Sequence, residues 1–144
     1  MNTDISELMS RLPRPDKHGF MTKIDKQVVD DVTEKILKAA PQSLVEVVGM
    51  LREPGDGDDY KAHYALHCVT IYVGKDKEQQ RQMVAKTLAG CLGGDYPTGV
   101  KKYLIRELQF VGGAEVTATL NKFIHDKQLG DPAMQALASI MNTV

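Results

Sequence analysis

Residues 84–92 read VAKTLAGCL, and residues 116–124 read VTATLNKFI, 32 positions further along the chain. Both stretches carry an aliphatic residue at every fourth position, with Leu88 and Leu120 at their centres. Residues spaced four apart lie on one face of an α-helix, so each stretch predicts an amphipathic helix. A turn containing glycine, aspartate or proline follows each stretch. The two stretches therefore indicate a chain that repeats a helical unit.

A second helical pattern alternates with the first and also recurs. The segment AHYAL at 62–66 returns as VKKYL at 100–104 and as AMQAL at 133–137. Pairs of helices that repeat with a period in the thirties are typical of α-solenoids, in which each pair packs on its neighbours. The pattern predicts an all-α fold without a sheet, in which seven helices follow an N-terminal segment. It also predicts four buried leucines: Leu66, Leu88, Leu104 and Leu120.

The second helices resemble those of HEAT-repeat proteins. The shared pattern is a small residue, two variable positions, Ala-Leu, an aliphatic residue and a closing glycine, and the segments 60–74, 98–113 and 131–140 resemble it. With the first helices, the resemblance covers residues 41–141. The segment DDYKAHYAL at 58–66 is similar to bacterial stand-alone members. The resemblance implies an α–α superhelix that works as a binding surface, although some related folds are enzymes or chromophore lyases.

One domain is expected over residues 1–144. The chain is 42% hydrophobic and 26% charged, which is the composition of an ordinary globular protein with a single core. We expect about three HEAT-like helix pairs over 24–141, preceded by a helical cap over 1–23. The apolar residues of this capping segment are Ile5, Leu8, Met9, Leu12, Phe20 and Met21.

Polar residues mark where several helices begin. Asp25 is placed to cap the first long helix, because its carboxylate accepts hydrogen bonds from the free N–H groups of a first turn. Asp58 or Asp59 is predicted to cap the helix that follows them. The pair Asp131-Pro132 is predicted to supply the N-cap and the first-turn proline of the last helix.

The sequence predicts neither a metal nor a cofactor. His63 and His67 lie four apart on one helix, a spacing that allows two imidazoles to reach one metal ion, but the motif has no third ligand. The glycine pairs at 93–94 and 112–113 follow helices instead of strands, so they do not form a phosphate-binding loop. Both histidines are therefore interpreted as residues at the partly exposed edge of a packed helix.

The protein is predicted to be cytoplasmic and not to associate with a membrane. The longest apolar stretch, 64–73, has ten residues, whereas about 20 are needed to span a bilayer. Asp4 and Glu7 stand where a signal peptide needs a basic start and an apolar run. Cys68 and Cys91 are expected to remain thiols that pack against other side chains.

Charge is distributed unevenly along the chain. Residues 61–144 hold 10 basic and 7 acidic side chains, and Lys101, Lys102 and Arg106 form a basic cluster. The resemblance also suggests a comparison with HEAT-like DNA glycosylases. Those enzymes stack aromatic side chains against the lesion, and this chain has no Trp. The sequence therefore favours a solvated helix face, or one that meets an acidic protein, over a nucleic-acid site.

The leading functional prediction is a non-enzymatic protein–protein interaction module or adaptor. Its partner-binding residues are expected on the exposed faces of the second helices, at His63, His67, Lys101 and Ile105. The alternative is a HEAT-like lyase, or a nucleic-acid-binding base-excision enzyme that uses the basic cluster. A pocket with converging acid and base groups would favour the enzyme.

The last helix offers a second contact site. Met134 and Met141 lie seven apart on one face, and methionine suits adaptable contact surfaces. No polar capping repeat follows this helix in the sequence, so its outer face is predicted to bind a second copy or a partner chain. The alternative is that both methionines pack onto the preceding helix around Leu120.

Overall fold

The computed structural model describes residues 4–13, 24–54, 57, 59–74 and 76–142. All regular structure in these ranges is helical, which confirms the all-α prediction. Within the described ranges, seven α-helices follow the first, as the sequence pattern predicts, and a 3₁₀ turn (Ala114–Val116) precedes α7 (Thr117–Asn121). The α-helices are α1 (Ile5–Ser10), α2 (Lys26–Lys38), α3 (Gln42–Gly49), α4 (Tyr60–Val73), α5 (Glu78–Cys91), α6 (Thr98–Val111), α7 (Thr117–Asn121) and α8 (Gly130–Met141).

The helices form two layers that alternate along the chain. One layer, which we call the even layer, contains α2, α4, α6 and α8 side by side in that order, and α3, α5 and the 3₁₀ turn pack behind it. Within the even layer, Tyr72 near the end of α4 donates to Glu34 near the end of α2. Tyr103 near the start of α6 donates to His63 near the start of α4. His67, one turn further along α4, meets Glu107, one turn further along α6, so these two helices run in the same direction.

The hydrophobic core lies between the two layers. Leu66, Leu88, Leu104 and Leu120 have 0% exposure, which confirms their predicted burial. Burial of one such side chain contributes about 1.5–3 kcal/mol relative to its exposure to water. The repeated leucines of the sequence are thus part of the core that holds the two layers together.

The N-terminal helix belongs to the same core. Asp4 caps α1 by accepting a hydrogen bond from the backbone N–H of Glu7 at 3.2 Å. α1 contacts α2, α3 and α4. Residues 14–23 of the predicted capping segment, including Phe20 and Met21, lie outside the described residues. The apolar residues around α1 are buried: Ile5, Leu8, Met9 and Leu12.

Two predicted N-caps have different outcomes. Asp25 caps α2 by accepting from the N–H groups of Gln27 and Val28, as predicted. Asp59 precedes α4 but makes no capping hydrogen bond, so the prediction for Asp59 is wrong. Its carboxylate turns back to the N–H of Arg52 at 2.8 Å, and this bond holds the preceding loop against the helix. Asp58 lies outside the described residues.

The start of α8 also differs from the prediction. The helix begins at Gly130, so Asp131 lies inside the first turn instead of capping it. Asp126 supplies the polar turn instead, because its Oδ1 accepts from the N–H groups of Gln128 and Leu129. The chain is already in a tight turn at Leu129, and the helix continues directly from it. A Cβ on Gly130 would lie 2.7 Å from the carbonyl oxygen of Ile124.

The two matching first helices are unequal in the structure. Residues 84–91 lie within α5, which has 14 residues and is followed by Leu92 as its C-cap, whereas α7 has only five and ends at Asn121. The predicted helix over 116–124 is therefore wrong in its length. Threonine and asparagine favour a helix less than the alanine, leucine and glutamine of α5 do. After Asn121, Phe123 N–H bonds to the carbonyl of Leu120, three residues back, which closes a tight turn.

Arg81 fastens α5 to the chain that follows α6. Its guanidinium donates to the carbonyl of Val111 at 2.7 Å and to Glu115 Oε1 at 2.8 Å. It also donates to both carboxylate oxygens of Glu78, one turn earlier on α5, at 2.6 and 3.0 Å. The same arginine thus connects the carbonyl at the end of α6, the 3₁₀ turn and its own helix. We call this group of four residues the Arg81 clamp.

Candidate binding face on α4 and α6

The exposed side of the even layer is built around Tyr103, at the boundary between α4 and α6. Its hydroxyl donates to the backbone carbonyl of His63 at 2.8 Å. Its ring meets the His63 ring edge-on, with ring centroids 4.2 Å apart. Burial raises the pKa of Tyr103, and the nearby Glu107 carboxylate raises it further. The phenol is therefore neutral and serves as a hydrogen-bond donor that ties the two helices together.

Glu107 is a buried carboxylate, 2% exposed, below the same face. Thr70 donates its hydroxyl to Glu107 Oε2 at 2.8 Å. His67 Nδ1 lies 3.1 and 3.3 Å from the two carboxylate oxygens. Because a carboxylate only accepts hydrogen bonds, Nδ1 carries the hydrogen, and Nε2 remains on the solvent side of a side chain that is 48% exposed. His67 therefore donates a hydrogen bond from the surface to a buried carboxylate.

His63 has a separate acidic partner. Its Nε2 lies 2.8 Å from Asp59 Oδ2, one turn earlier in the chain. Asp59 and Glu107 thus each engage one of the two histidines, on different elements. Among the residues that the structure describes, no three His, Cys, Asp or Glu side chains are grouped as a metal site would need. The four-residue spacing of the histidines is here used for packing between α4 and its neighbours.

A cleft of about 410 Å³ opens at the start of α4, α6 and α8. Lys102 and Arg106 are exposed on neighbouring turns of α6, and neither forms an ion pair with a described residue. Glu53 already occupies the start of α6, where it accepts from Gly99 N–H at 2.8 Å. We call this the basic cleft; its lining residues are Pro54, His63, Gly99, Lys102, Tyr103, Arg106, Gln109, Pro132 and Gln135.

Lys101 does not line the basic cleft. It is half-buried and lies near Asp126, in the turn before α8. The pKa of Asp126 is lowered mainly by the N–H groups of Gln128 and Leu129, and Lys101 adds to this effect. The lysine that reaches the cleft is therefore its neighbour in sequence, Lys102.

The prediction for Ile105 is wrong. It was predicted to lie on an exposed binding face, but its exposure is 0%. The reason is that α6 packs against α4, α5 and α8, so three neighbours leave only one narrow strip of this helix in contact with solvent. That strip carries Lys102, Arg106 and Phe110 at four-residue intervals.

The exposed apolar residues on this side were missed by the sequence reasoning. Phe110 and Ile71 are each 63% exposed. The Phe110 ring meets the His67 ring edge-on at a centroid distance of 6.1 Å, and Ile71 follows His67 by one helical turn. The four-residue interval from Arg106 to Phe110 is the signal that would have placed this aromatic ring beside the basic residues. We call Lys102, Arg106, Phe110, His67 and Ile71 the α4–α6 face.

Met134 and Met141 lie on the outer side of α8. Their exposures are 50% and 67%, so neither is covered by the helix that contains Leu120. Leu137, between them in the sequence, is half-buried against the core. The predicted contact between this surface and a second chain stays a prediction.

No protein-family model, curated protein or solved structure matches this chain. Within the ranges that the structure describes, every helix is too short or too polar to cross a membrane.

Proposed function

We propose that this chain is a non-enzymatic protein-interaction module of the HEAT-repeat type, working in the cytoplasm as an adaptor. In this proposal the even layer corresponds to the second helices of a short solenoid, whose exposed surface is the binding surface. The alternation of the two layers and the common direction of α4 and α6 support a solenoid.

The observation that carries the proposal is the composition of the α4–α6 face. Phe110 and Ile71 are exposed, and Phe110 follows Arg106 by one turn of α6. Arg106 and Lys102 have no ion-pair partner in the described part of the chain. Aromatic residues and arginine are enriched at protein interfaces and account for much of their binding energy. Below this surface, the polar side chains of Thr70 and Glu107 already have partners, so the underlying structure is complete without a ligand.

The enzyme alternative draws less support from the same geometry. A lyase or base-excision enzyme that uses Lys101, Lys102 and Arg106 needs acid and base groups that converge on a substrate. Lys101 is not among the residues that line the cleft and lies near Asp126. Glu53 and Asp59, whose partners Gly99 and His63 line the cleft, each accept from a backbone N–H. This arrangement favours recognition over catalysis.

Site-specific photocrosslinking in the native host tests the proposal. A photoreactive amino acid replaces Phe110, and a matched variant carries it at Lys86, an exposed position on α5 in the other layer. We expect a discrete crosslinked protein from position 110, none from position 86, and loss of the product when Arg106→Glu is added. Equal products from both positions, or none from position 110, would contradict a binding role for this face.

The outer surface of α8 is a second candidate contact, because Met134 and Met141 remain exposed in the isolated chain. Sedimentation equilibrium tests whether this surface binds a second copy of the chain or a different chain. A dimer that is weakened by Met134→Glu supports self-association. A strict monomer removes self-association and leaves contact with a different chain.

A further inference from the structure

We infer that the partner bound by the α4–α6 face is an extended acidic protein segment, with two carboxylates followed by an apolar side chain at alternate positions. The inference rests on the proposed function, because it names the chemistry of that partner. The two carboxylates pair with Lys102 and Arg106, and the apolar side chain packs on Phe110.

The charge of the face supports carboxylates as the ligand. Lys102 and Arg106 are exposed, and none of the ion pairs among described residues includes them. Three carboxylates that contact residues of α4 or α6 are already engaged: Glu53 by Gly99 N–H, Asp59 by Arg52 N–H and His63, and Glu107 by His67 and Thr70. A guanidinium and an ammonium without partners are complementary to the acidic side chains of a protein.

The spacing of the face supports an extended segment. Lys102, Arg106 and Phe110 follow one another at one-turn intervals, and four residues of α-helix rise about 6 Å. Alternate residues of an extended strand point to the same side and are about 6.6 Å apart. An extended segment of the form acidic-x-acidic-x-apolar can therefore place its three alternate side chains opposite Lys102, Arg106 and Phe110 at the same time. His67 and Ile71 widen the apolar end of the same face.

Nucleic acid has phosphates but fits this face less well. Proteins that bind nucleic acid non-specifically neutralise several phosphates at once, with about 6–10 contacts in strong examples. Among the described residues, only Lys102 and Arg106 line the cleft as permanent cations, and Glu53 contacts the lining residue Gly99. The formal net charge of the chain is −1. The observations therefore favour a protein segment over an oligonucleotide.

Fluorescence anisotropy with labelled synthetic peptides tests the inference on the full chain. The probe peptide has glutamates at its first two alternate positions and phenylalanine at the third, separated by serines. We expect the affinity of the wild type to fall about tenfold when both glutamates of the peptide become glutamines. In a separate measurement with the original peptide, we expect Arg106→Glu to bind about tenfold more weakly than the wild type. Lys86→Glu makes the same change of charge in the other layer, and we expect its affinity to stay within about twofold of the wild type.

Charge reversal gives the sharpest result. A peptide with lysines in place of the glutamates should bind Arg106→Glu more tightly than it binds the wild type. Circular dichroism verifies that each variant is folded. Equal binding of glutamate and glutamine peptides, or no measurable binding of either, overturns the inference. Tighter binding of a single-stranded oligothymidylate than of the acidic peptide also overturns it and assigns the face to nucleic acid.

The photocrosslinking experiment separates this inference from the proposed function. A crosslinked protein at position 110 together with indifference to peptide charge would leave the binding role intact and reject only the acidic segment. Absence of that crosslink would reject the binding role itself.

Discussion

Arg81 and Arg106 show how differently one residue type is used in two regions of this molecule. The Arg81 guanidinium contacts three acceptor groups, and its side chain is 16% exposed. Arg106 is exposed and pairs with no acidic group in the described residues. An arginine whose donors are all used within the fold stabilises that fold. An arginine whose donors face solvent is available to a ligand.

His67 combines both situations in one side chain. Its Nδ1 is used by the buried Glu107, whereas the other side of the ring faces solvent next to Phe110. The contrast between the two arginines therefore does not separate the molecule into a structural half and a binding half. The useful distinction is between donor atoms that have a hydrogen-bond partner within the fold and donor atoms that face solvent.

The largest effect is expected when the Arg81 clamp is removed. Arg81→Met keeps most of the side-chain length but leaves the carbonyl of Val111 and the mostly buried Glu115 without their donor. We expect the free energy of unfolding to fall by about 3 kcal/mol, measured by urea denaturation. A loss below about 1 kcal/mol would show that the clamp is not structural. The double variant with Glu115→Gln should be less than additive, because the two residues share one interaction.

A smaller effect is expected at His67. His67→Ala leaves the buried Glu107 with Thr70 as its remaining hydrogen-bond donor, which should lower the free energy of unfolding by about 2 kcal/mol. Adding Glu107→Gln should restore part of this loss, since the buried negative charge is then absent. His63→Ala is the matched control, because Asp59 keeps its bond to Arg52 N–H. An equal loss in both single variants would contradict a special role for Glu107.

The Arg81 clamp also predicts how Glu78 titrates. Hydrogen bonds from Arg81 and Gln82 lower the pKa of Glu78 from 4.5 to about 2. Because the pKa is lower in the folded state, this contribution to stability is complete above pH 4.5 and is lost as the pH falls toward 2. NMR titration of the side-chain carboxyl carbon should show the Glu78 pKa moving upward in Arg81→Met. Asp126 is the control, because backbone N–H groups lower its pKa.

The smallest effect on stability is expected at Arg106. Arg106→Met removes no ion pair or hydrogen bond within the described residues, so the free energy of unfolding should change by no more than about 0.5 kcal/mol. Urea denaturation alongside Arg81→Met measures the two arginines under identical conditions. A loss comparable with that of Arg81→Met would remove the distinction between the clamp and the face.

The comparison of α5 with α7 shows where the sequence pattern reaches its limit. Both stretches have aliphatic residues at every fourth position, and both place a leucine in the core. The periodicity predicted this burial correctly because it depends only on which face is apolar. It did not predict that α7 ends after five residues, because helix length also depends on propensity and on the turn that follows.

The candidate face was only partly readable from the sequence. His63 and His67 were singled out, and their exposure followed from their position beside the apolar stripe of α4. Ile105 was misplaced, since the number of helices packed around α6 is not encoded in the spacing of its own residues. Phe110 is the opposite case, an exposed residue that was not selected, because an aromatic side chain is ordinarily assigned to the core.

Within the described residues, the sequence by itself determined the helical class, the number of helices and the burial of the four repeated leucines. These follow from local spacing, since residues four apart must share a face of an α-helix. The tertiary structure decided which charged groups have partners. Residues from α4 and α6, about forty positions apart, meet at Glu107, and α5 reaches the end of α6 through Arg81. Such pairings depend on how helices are placed side by side, and this placement leaves Lys102 and Arg106 without partners among the described residues.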